Sequence, residues 1–160
     1  MNRDLLPAVF FTVVIVTGAT GCGPGSSTPM SDSGFKVAFE EHHVPGEMVA
    51  GENVSPIITV KNTSDVTWPR KPDYKGRNAV NLSYHWMDRN GRVVVFEGLR
   101  TALPSDVPPG DSVKLKASIE APGREGRYTL EITLVQEGVA WFPERDGDKL
   151  TIPVNVVQVK

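Results

Sequence analysis

Hydrophobic side chains alternate with polar ones in six separate segments of this chain, and this period of two constrains the fold most strongly. In one segment Val80, Leu82, Tyr84 and Trp86 alternate with Asn, Ser and His side chains. Successive side chains of a β-strand point to opposite faces, so each segment has one buried face and one solvated face. The other segments with this pattern are 35–40, 58–61, 113–120, 128–134 and 150–156. The sequence therefore predicts an all-β fold of antiparallel sheets.

The segments between these strands carry turn-forming residues. Asn90-Gly91 is a strong hairpin signal because both residues tolerate positive φ, and it joins 80–88 to 92–97. Three Pro-Gly pairs flank other strands: Pro45-Gly46, Pro109-Gly110 and Pro122-Gly123. The 13 prolines and 15 glycines also argue against long helices. About seven to eight short strands at this spacing predict a β-sandwich.

Two aromatic residues favour an immunoglobulin-like sandwich. Trp86 lies in the middle of the third long strand, where such folds bury a tryptophan between their sheets. Tyr128 opens the penultimate strand, which is the position of a tyrosine corner. The single cysteine, Cys22, lies outside all the predicted strands, so we expect no disulfide to cross the core. The predicted fold is an immunoglobulin-like antiparallel β-sandwich of about seven to eight strands.

Five motifs between residue 44 and the C-terminus resemble those of a known family. They are Asn62-Thr63-Ser64-Asp65-Val66-Thr67-Trp68-Pro69, Ser83-Tyr84-His85-Trp86, Arg100-Thr101-Ala102-Leu103-Pro104, Val107-Pro108-Pro109-Gly110 and Leu134-Val135-Gln136-Glu137-Gly138-Val139-Ala140-Trp141-Phe142. The series resembles the immunoglobulin-like β-sandwich modules appended to bacterial glycosyltransferases and methyltransferases of surface-polysaccharide pathways. It is more distantly similar to the polysaccharide-binding tail of O-antigen transporters. The resemblance implies the same fold and a role with envelope glycans.

Residues 1–21 have the pattern of a secretory signal peptide, with an uncharged apolar stretch that ends in small residues. The stretch falls just short of the ~20 residues needed to span a bilayer, and Pro7 interrupts it. Ala19-Thr20-Gly21-Cys22 resembles the bacterial lipobox, in which the cysteine is diacylated and becomes the mature N-terminus. We therefore predict a lipoprotein with Cys22 as its lipidated residue. A plain cleaved signal with a free cysteine and an uncleaved short anchor remain as alternatives.

Residues 22–34 are predicted to be the lipidated cysteine and a flexible tether. Ten of the twelve residues from 23 to 34 are Gly, Pro, Ser or Thr, a composition typical of flexible linkers. The folded domain is then predicted to span 35–160. This organisation places the protein in the bacterial cell envelope, anchored to a membrane by its lipid. Gly23, rather than Asp, after the cysteine favours the outer membrane if the host is Gram-negative.

Composition and motifs argue against several function classes. The net charge of −2 removes the usual electrostatic case for binding nucleic acid. The chain has no GxSxG, P-loop, GxGxxG or HExxH motif, and lipidation would consume its only thiol. His42 and His43 are metal-ligand types, but neighbouring side chains on a strand point to opposite faces. We therefore expect no metal, no cofactor and no enzymatic activity.

Four aromatic residues are the best candidates for a binding site. Trp68 and Tyr74 lie between the second and third long strands, and Trp141 and Phe142 lie between the last two. In an immunoglobulin-like sandwich these two loops meet at one end, so we expect the four rings to lie near one another. They would either bind a sugar or a peptide or cap the open end of the core. We expect Trp68 to be the more buried tryptophan and Trp141 to be the better ligand contact.

Two functions from different classes fit these observations. The first is a non-enzymatic, monomeric envelope lipoprotein whose sandwich binds a glycan or a protein partner. The second is an exported β-sandwich protease inhibitor. An inhibitor needs a long exposed loop that fits a protease cleft, and residues 99–108 are the one candidate for it.

Overall fold

The computed structural model describes residues 28–159 of the chain. The predicted signal peptide and the predicted lipidation site at Cys22 lie outside the described residues. Within 28–159 the strands, in chain order, are β1 Val37–His42, β2 Glu47–Val49, β3 Asn53–Val54, β4 Ile57–Asn62, β5 Val80–Asp88, β6 Val93–Val95, β7 Thr101–Ala102, β8 Ser112–Lys116, β9 Ile119–Glu120, β10 Gly126–Gln136, β11 Ala140–Trp141 and β12 Leu150–Val157. Two short 3₁₀ helices, Asp32–Gly34 and Phe142–Arg145, complete this part of the chain.

The strands form an immunoglobulin-like β-sandwich, as the sequence predicts. One sheet has the order β1-β4-β8, and the larger one has the order β2-β12-β10-β5-β6, with β7 on β5 and β11 on β10. The small pair β3-β9 lies outside these two sheets. All pairs are antiparallel except β2 with β12, which run parallel. In an immunoglobulin-like sandwich the first, second and fifth strands form one sheet, and the third, sixth and seventh form the other. Here β1, β4 and β8 correspond to the first set, and β5, β10 and β12 correspond to the second.

Trp86 occupies the centre of the core, which confirms its predicted place. Its indole is completely buried, and its Nε1–H donates to the Glu120 carbonyl oxygen over 2.9 Å. The neighbouring Tyr84 hydroxyl accepts the Glu120 N–H over 2.9 Å. These two bonds satisfy polar groups that burial would otherwise leave without a partner. They also fix β9 against β5.

Tyr128 forms the predicted tyrosine corner at the start of β10. Its hydroxyl donates to the Arg124 carbonyl oxygen over 3.1 Å, four residues upstream. Gly126, with φ of 154°, allows the backbone to pass close to the Tyr128 ring. The bond fixes the angle at which the chain enters the longest strand of the larger sheet.

The folded unit extends N-terminal to the boundary that composition predicts at Phe35. Residues 28–34 lie against the body instead of forming a detached tether. The Gln136 side chain accepts the Met30 N–H over 3.0 Å and donates to the Thr28 carbonyl oxygen over 3.1 Å. The Trp68 Nε1–H donates to the Gly34 carbonyl oxygen over 2.9 Å. Two fully buried side chains, Trp68 and Gln136, therefore hold this segment in place through its backbone.

The hairpin predicted at Asn90-Gly91 joins β5 to β6. Only Gly91 adopts positive φ (75°), and the pairing of Asp88 with Arg92 leaves a three-residue loop. This is the geometry of a type I turn followed by a left-handed residue. The Asp88 carboxylate fixes the turn by accepting the N–H groups of Asn90 over 2.8 Å and Arg92 over 3.0 Å.

These bonds make the hairpin sensitive to acid. The backbone N–H of Arg92 lowers the pKa of Asp88 from 3.8, an effect that burial opposes and the Asn90 N–H reinforces. The carboxylate therefore stabilises the fold above pH 3.8, and this contribution disappears as the pH falls through the lowered pKa.

Asp88→Asn keeps an acceptor oxygen but removes the charge. We expect it to reduce the free energy of unfolding at neutral pH and to match the wild type in acid. Urea titrations at several pH values measure this, and Asp65→Asn, at an exposed carboxylate, is the matched control. A pH-independent difference would contradict the prediction.

Candidate functional site

Trp68 and Phe142 come together as predicted, but inside the core. Both side chains are completely buried, and their ring centroids lie 5.5 Å apart in an edge-to-face arrangement. Phe35 packs against Phe142 in the same way, with centroids 5.1 Å apart. Trp68 also exchanges two backbone hydrogen bonds with Val107. These rings close one end of the sandwich and offer no face to a ligand, so the structure places them in the capping role.

Tyr74 lies apart from the other three predicted residues. Its side chain is 91% exposed, and the Lys75 ammonium lies 5.3 Å from its ring centroid. Within residues 28–159 no ring contact joins it to Trp68, Trp141 or Phe142. The expectation that all four rings share one site is therefore wrong, because the loop that carries Tyr74 turns outward.

Trp141 lies on the outer face of the larger sheet, although Phe142 is in the core. β11 pairs with β10 so that Trp141 lies opposite Val135, and neighbouring residues of an extended chain point in opposite directions. The indole packs on His85, with centroids 4.3 Å apart, and on Phe96, with centroids 5.6 Å apart. It retains 8% exposure. Trp68 is thus the more buried tryptophan, as predicted, and Trp141 sits within a surface cluster that lacks the other three predicted residues.

Arg100 covers a second part of the Trp141 indole. Its guanidinium carbon lies 4.8 Å from the ring centroid, which is a cation–π contact. Its Nε–H donates to Glu137 over 2.8 Å and its Nη2–H to Glu97 over 2.5 Å. Burial opposes the charge of Arg100, but hydrogen bonds to Glu97 and Glu137 outweigh it and raise the pKa of the guanidinium above its ordinary value. The Arg100 charge is therefore permanent and its position is fixed.

A β-bulge in β6 decides which side chains join this cluster. Val95 pairs with Trp86 and Val93 with Met87, so Val94 is the extra residue. The bulge turns Val95 towards the core with Trp86, while Val93 shares the outer face with Met87. Phe96 follows on the outer face and stacks on His85, with centroids 4.6 Å apart and planes 18° apart. Its side chain remains 50% exposed.

Together these residues form a shallow cavity of about 220 Å³, which we call the outer-sheet groove. Its largely apolar walls are His85, Met87, Val93, Phe96, Trp141 and Pro143. An ion pair between Lys149 and Glu131, 2.6 Å apart, and the carboxylate of Glu144 line the rest. The Glu144 carboxylate also accepts the backbone N–H of Trp141 over 3.1 Å, which fixes the backbone that carries the indole. The groove offers apolar contact bordered by positioned charges, which is the chemistry of a binding surface.

Sequence reasoning identifies part of this groove and misses the rest. The alternation in β5 correctly places His85 on the outer face, opposite in phase to Trp86. Phe96 and Arg100 are missed because the bulge at Val94 and the irregular chain after it carry no clear signal in the sequence. Within the described range 28–159 the structure contains no group of three or more metal-ligating side chains. No helix within that range is long and apolar enough to cross a membrane.

Comparison with known proteins yields likenesses among solved structures only. No protein-family model and no curated protein matches the chain. The CARDB domain of a Pyrococcus furiosus protein is 18% identical, covering 78% of this chain and 94% of that domain, with a TM-score of 0.43. A β-glucosidase from Listeria innocua is 14% identical, covering 78% of this chain and 17% of the enzyme, with a TM-score of 0.45. A PapD-like domain of human CEP192 is 13% identical, covering 83% and 92% of the two chains, with a TM-score of 0.32. These likenesses concern the fold alone.

Proposed function

We propose that this chain is a non-catalytic lipoprotein of the bacterial cell envelope that binds an extended segment of a protein partner. The partner segment occupies the outer-sheet groove and the adjoining edge of β6. The observation that carries this proposal is the exposed apolar side chains of Val93, Val94 and Phe96, of which Val93 and Phe96 form part of the groove wall. Contiguous exposed apolar surface is typical of protein-binding sites.

The position of β6 gives the partner a backbone template. β6 ends the order of the larger sheet, and among the described strands its pairing is with β5. The opposite side of an edge strand presents N–H and C=O groups to which an added strand can bind. Side chains of the added strand would then reach Phe96, whose ring is half exposed, and the groove behind it. This arrangement favours an extended peptide over a sugar ring, which needs a broad, open aromatic face.

Charge around the groove indicates the composition of the partner segment. Glu131 and Glu144 lie at one side of Trp141 with Lys149. A second cavity of about 270 Å³ continues past the indole, and Glu97, Glu137 and Arg100 line it. The four carboxylates outnumber the two cations. We therefore expect the partner to place a basic residue next to an apolar one, because this pair would complement both the rim and the walls.

Residues 99–108 do not form the protruding loop that the protease-inhibitor alternative requires. Leu103 and Val107 are buried in the core, and β7 pairs with β5. The Arg70 side chain donates to the Leu103 carbonyl oxygen over 3.1 Å, and the Asp106 carboxylate accepts the Arg70 N–H over 2.7 Å. These contacts along the segment hold it against the body, so it lacks the protrusion that an inhibitory loop needs. We do not propose this function.

Site-specific photo-crosslinking tests the proposed binding surface. A photoreactive amino acid replaces Val94 in the full chain expressed in the native bacterium, and the control carries it at Lys114, an exposed position on β8 of the other sheet. We expect an adduct with a defined peptide of one protein at position 94 but not at position 114. Phe96→Ser should abolish the adduct while changing the free energy of unfolding by about 1 kcal/mol or less, since the ring is half exposed.

Three outcomes would contradict the proposal. Equal crosslinking at both positions would mean that the surface is not selective. An adduct that survives Phe96→Ser would place the contact elsewhere on the molecule. Crosslinking to polysaccharide, together with retention on polysaccharide columns that Phe96→Ser abolishes, would show that the groove binds a glycan instead.

A further inference from the structure

The start of the described chain and the loop that carries Tyr74 meet at one end of the sandwich. The buried Gln136 amide donates to the Thr28 carbonyl oxygen over 3.1 Å and to the Asn78 carbonyl oxygen over 3.0 Å. An open depression of about 550 Å³ beside this point is lined both by residues 28–31 and by Pro69, Arg70 and Lys71. We call residues 69–78 the anchor-proximal loop.

Chain length fixes how far this end can lie from Cys22. Five residues separate Cys22 from Thr28, and the six steps along a fully extended chain span about 20 Å. A lipid on Cys22 would therefore hold this end of the sandwich within about 20 Å of the membrane. The β5–β6 hairpin lies at the other end of β5, which adds about 26 Å for a strand of this length. The anchor-proximal loop is thus the part of the domain that faces the lipid.

The anchor-proximal loop presents cations and turns its one acid inward. Lys71, Lys75 and Arg77 are exposed, whereas the Asp73 side chain is only 8% exposed and its carboxylate pairs with the Arg77 guanidinium at 3.6 Å. The Asp73 carboxylate accepts the N–H groups of Lys75 over 2.8 Å and Arg77 over 2.9 Å, which fixes the turn. Tyr74 projects from the tip of this turn into solvent. An exposed tyrosine flanked by basic residues is the combination that favours the interface of an anionic membrane.

We propose that the anchor-proximal loop is a second membrane contact. Lys71, Lys75 and Arg77 bind the headgroups of anionic lipids, and the Tyr74 phenol enters the interfacial region. The proximity argument depends on the proposed lipid at Cys22, whereas the charge and aromatic content of the loop do not. This contact would orient the sandwich with the hairpin away from the membrane and the edge of β6 open to its partner.

Fluorescence quenching in vesicles tests the orientation. The full acylated chain carrying Tyr74→Trp is reconstituted in brominated phosphatidylcholine containing phosphatidylglycerol at about 30 mol%, an anionic surface. The native indoles Trp68, Trp86 and Trp141 are buried and supply a constant background. We expect quenching of the indole introduced at position 74 and little at position 89 in the matched Arg89→Trp variant on the hairpin. Equal quenching at both positions would overturn the proposal.

A second measurement separates this contact from the lipid anchor. In the full chain with Cys22→Ser, we expect Lys71→Ser with Lys75→Ser to weaken binding to the anionic vesicles about 25-fold, at roughly fivefold per cation. Arg89→Ser with Arg92→Ser, two exposed cations on the hairpin, should leave binding unchanged. The N-terminal segment is common to all these chains, so the difference belongs to the loop. The loop contact would be overturned if the two double variants bound anionic vesicles with equal affinity. It would also be overturned if the Cys22→Ser chain bound neutral phosphatidylcholine vesicles as tightly as anionic ones. Either result would count even if Cys22 is acylated. Failure of acylation would leave this measurement unaffected.

Discussion

Replacing Trp68 by alanine is expected to destabilise the folded chain by about 3–5 kcal/mol, the usual cost of truncating a fully buried aromatic side chain. The indole packs edge-on against Phe142 and donates to the Gly34 carbonyl oxygen. Its removal leaves a cavity between the capping rings and deprives that carbonyl of its partner. The loss should also loosen residues 28–34, because the Trp68 bond is one of the contacts that hold them on the body.

Equilibrium unfolding in urea measures this effect, and the matched control is Tyr74→Ala. The Tyr74 side chain is almost fully exposed, so its loss should change the free energy of unfolding by about 0.5 kcal/mol or less. Hydrogen exchange at the Met30 and Gly34 amides reports the loosening separately. If Trp68→Ala were as mild as Tyr74→Ala, the indole could not be part of the cap. Such a result would instead favour Trp68 as a ligand contact.

The strands can be predicted from the sequence because the alternation of neighbouring side chains is enough to identify each one. In β5 the alternation predicts that Leu82, Tyr84 and Trp86 are buried and that His85 lies on the outer face, and the structure confirms both predictions. Ser83 is also buried, because Gly98 and Arg100 cover its hydroxyl. The tyrosine corner at Tyr128 was equally readable, because its position follows from strand order alone. Alternation fixes the face of a residue as long as the strand remains regular.

The candidate site was harder to predict because it depends on irregular backbone. The bulge at Val94 reverses the alternation, so Val93 and Phe96 share a face that a regular strand would not give them. Trp141 and Phe142 lie in one predicted loop, but adjacent residues of an extended chain face opposite ways, so only Trp141 reaches the outer face. Residues 28–34 have the composition of a linker, yet long-range bonds from Gln136 and Trp68 hold them. Composition cannot report bonds that a distant residue supplies to the backbone.

Replacing Cys22 by serine is expected to release the protein from the membrane fraction. Each buried CH₂ of an acyl chain contributes about 0.8 kcal/mol to membrane binding, so the loss of two or more chains removes the dominant attachment. Serine keeps the size and polarity of the side chain but has no thiol to acylate. We expect labelling by a palmitate analogue to disappear and the protein to move to the soluble fraction. Unchanged membrane retention would favour an uncleaved helical anchor instead.

A chain whose thiol is moved to another position is a more informative control than a chain without a thiol. Ser26→Cys in the Cys22→Ser chain moves the thiol four residues away from the small-residue segment Ala19-Thr20-Gly21. If acylation depends on the lipobox, this chain should remain unlabelled and soluble, whereas labelling would mean that any accessible thiol is modified. Membranes must be washed in about 1 M salt, where the Debye length is about 3 Å. This wash removes protein held only by the basic residues of the anchor-proximal loop, so that material remaining on the membrane reports the lipid.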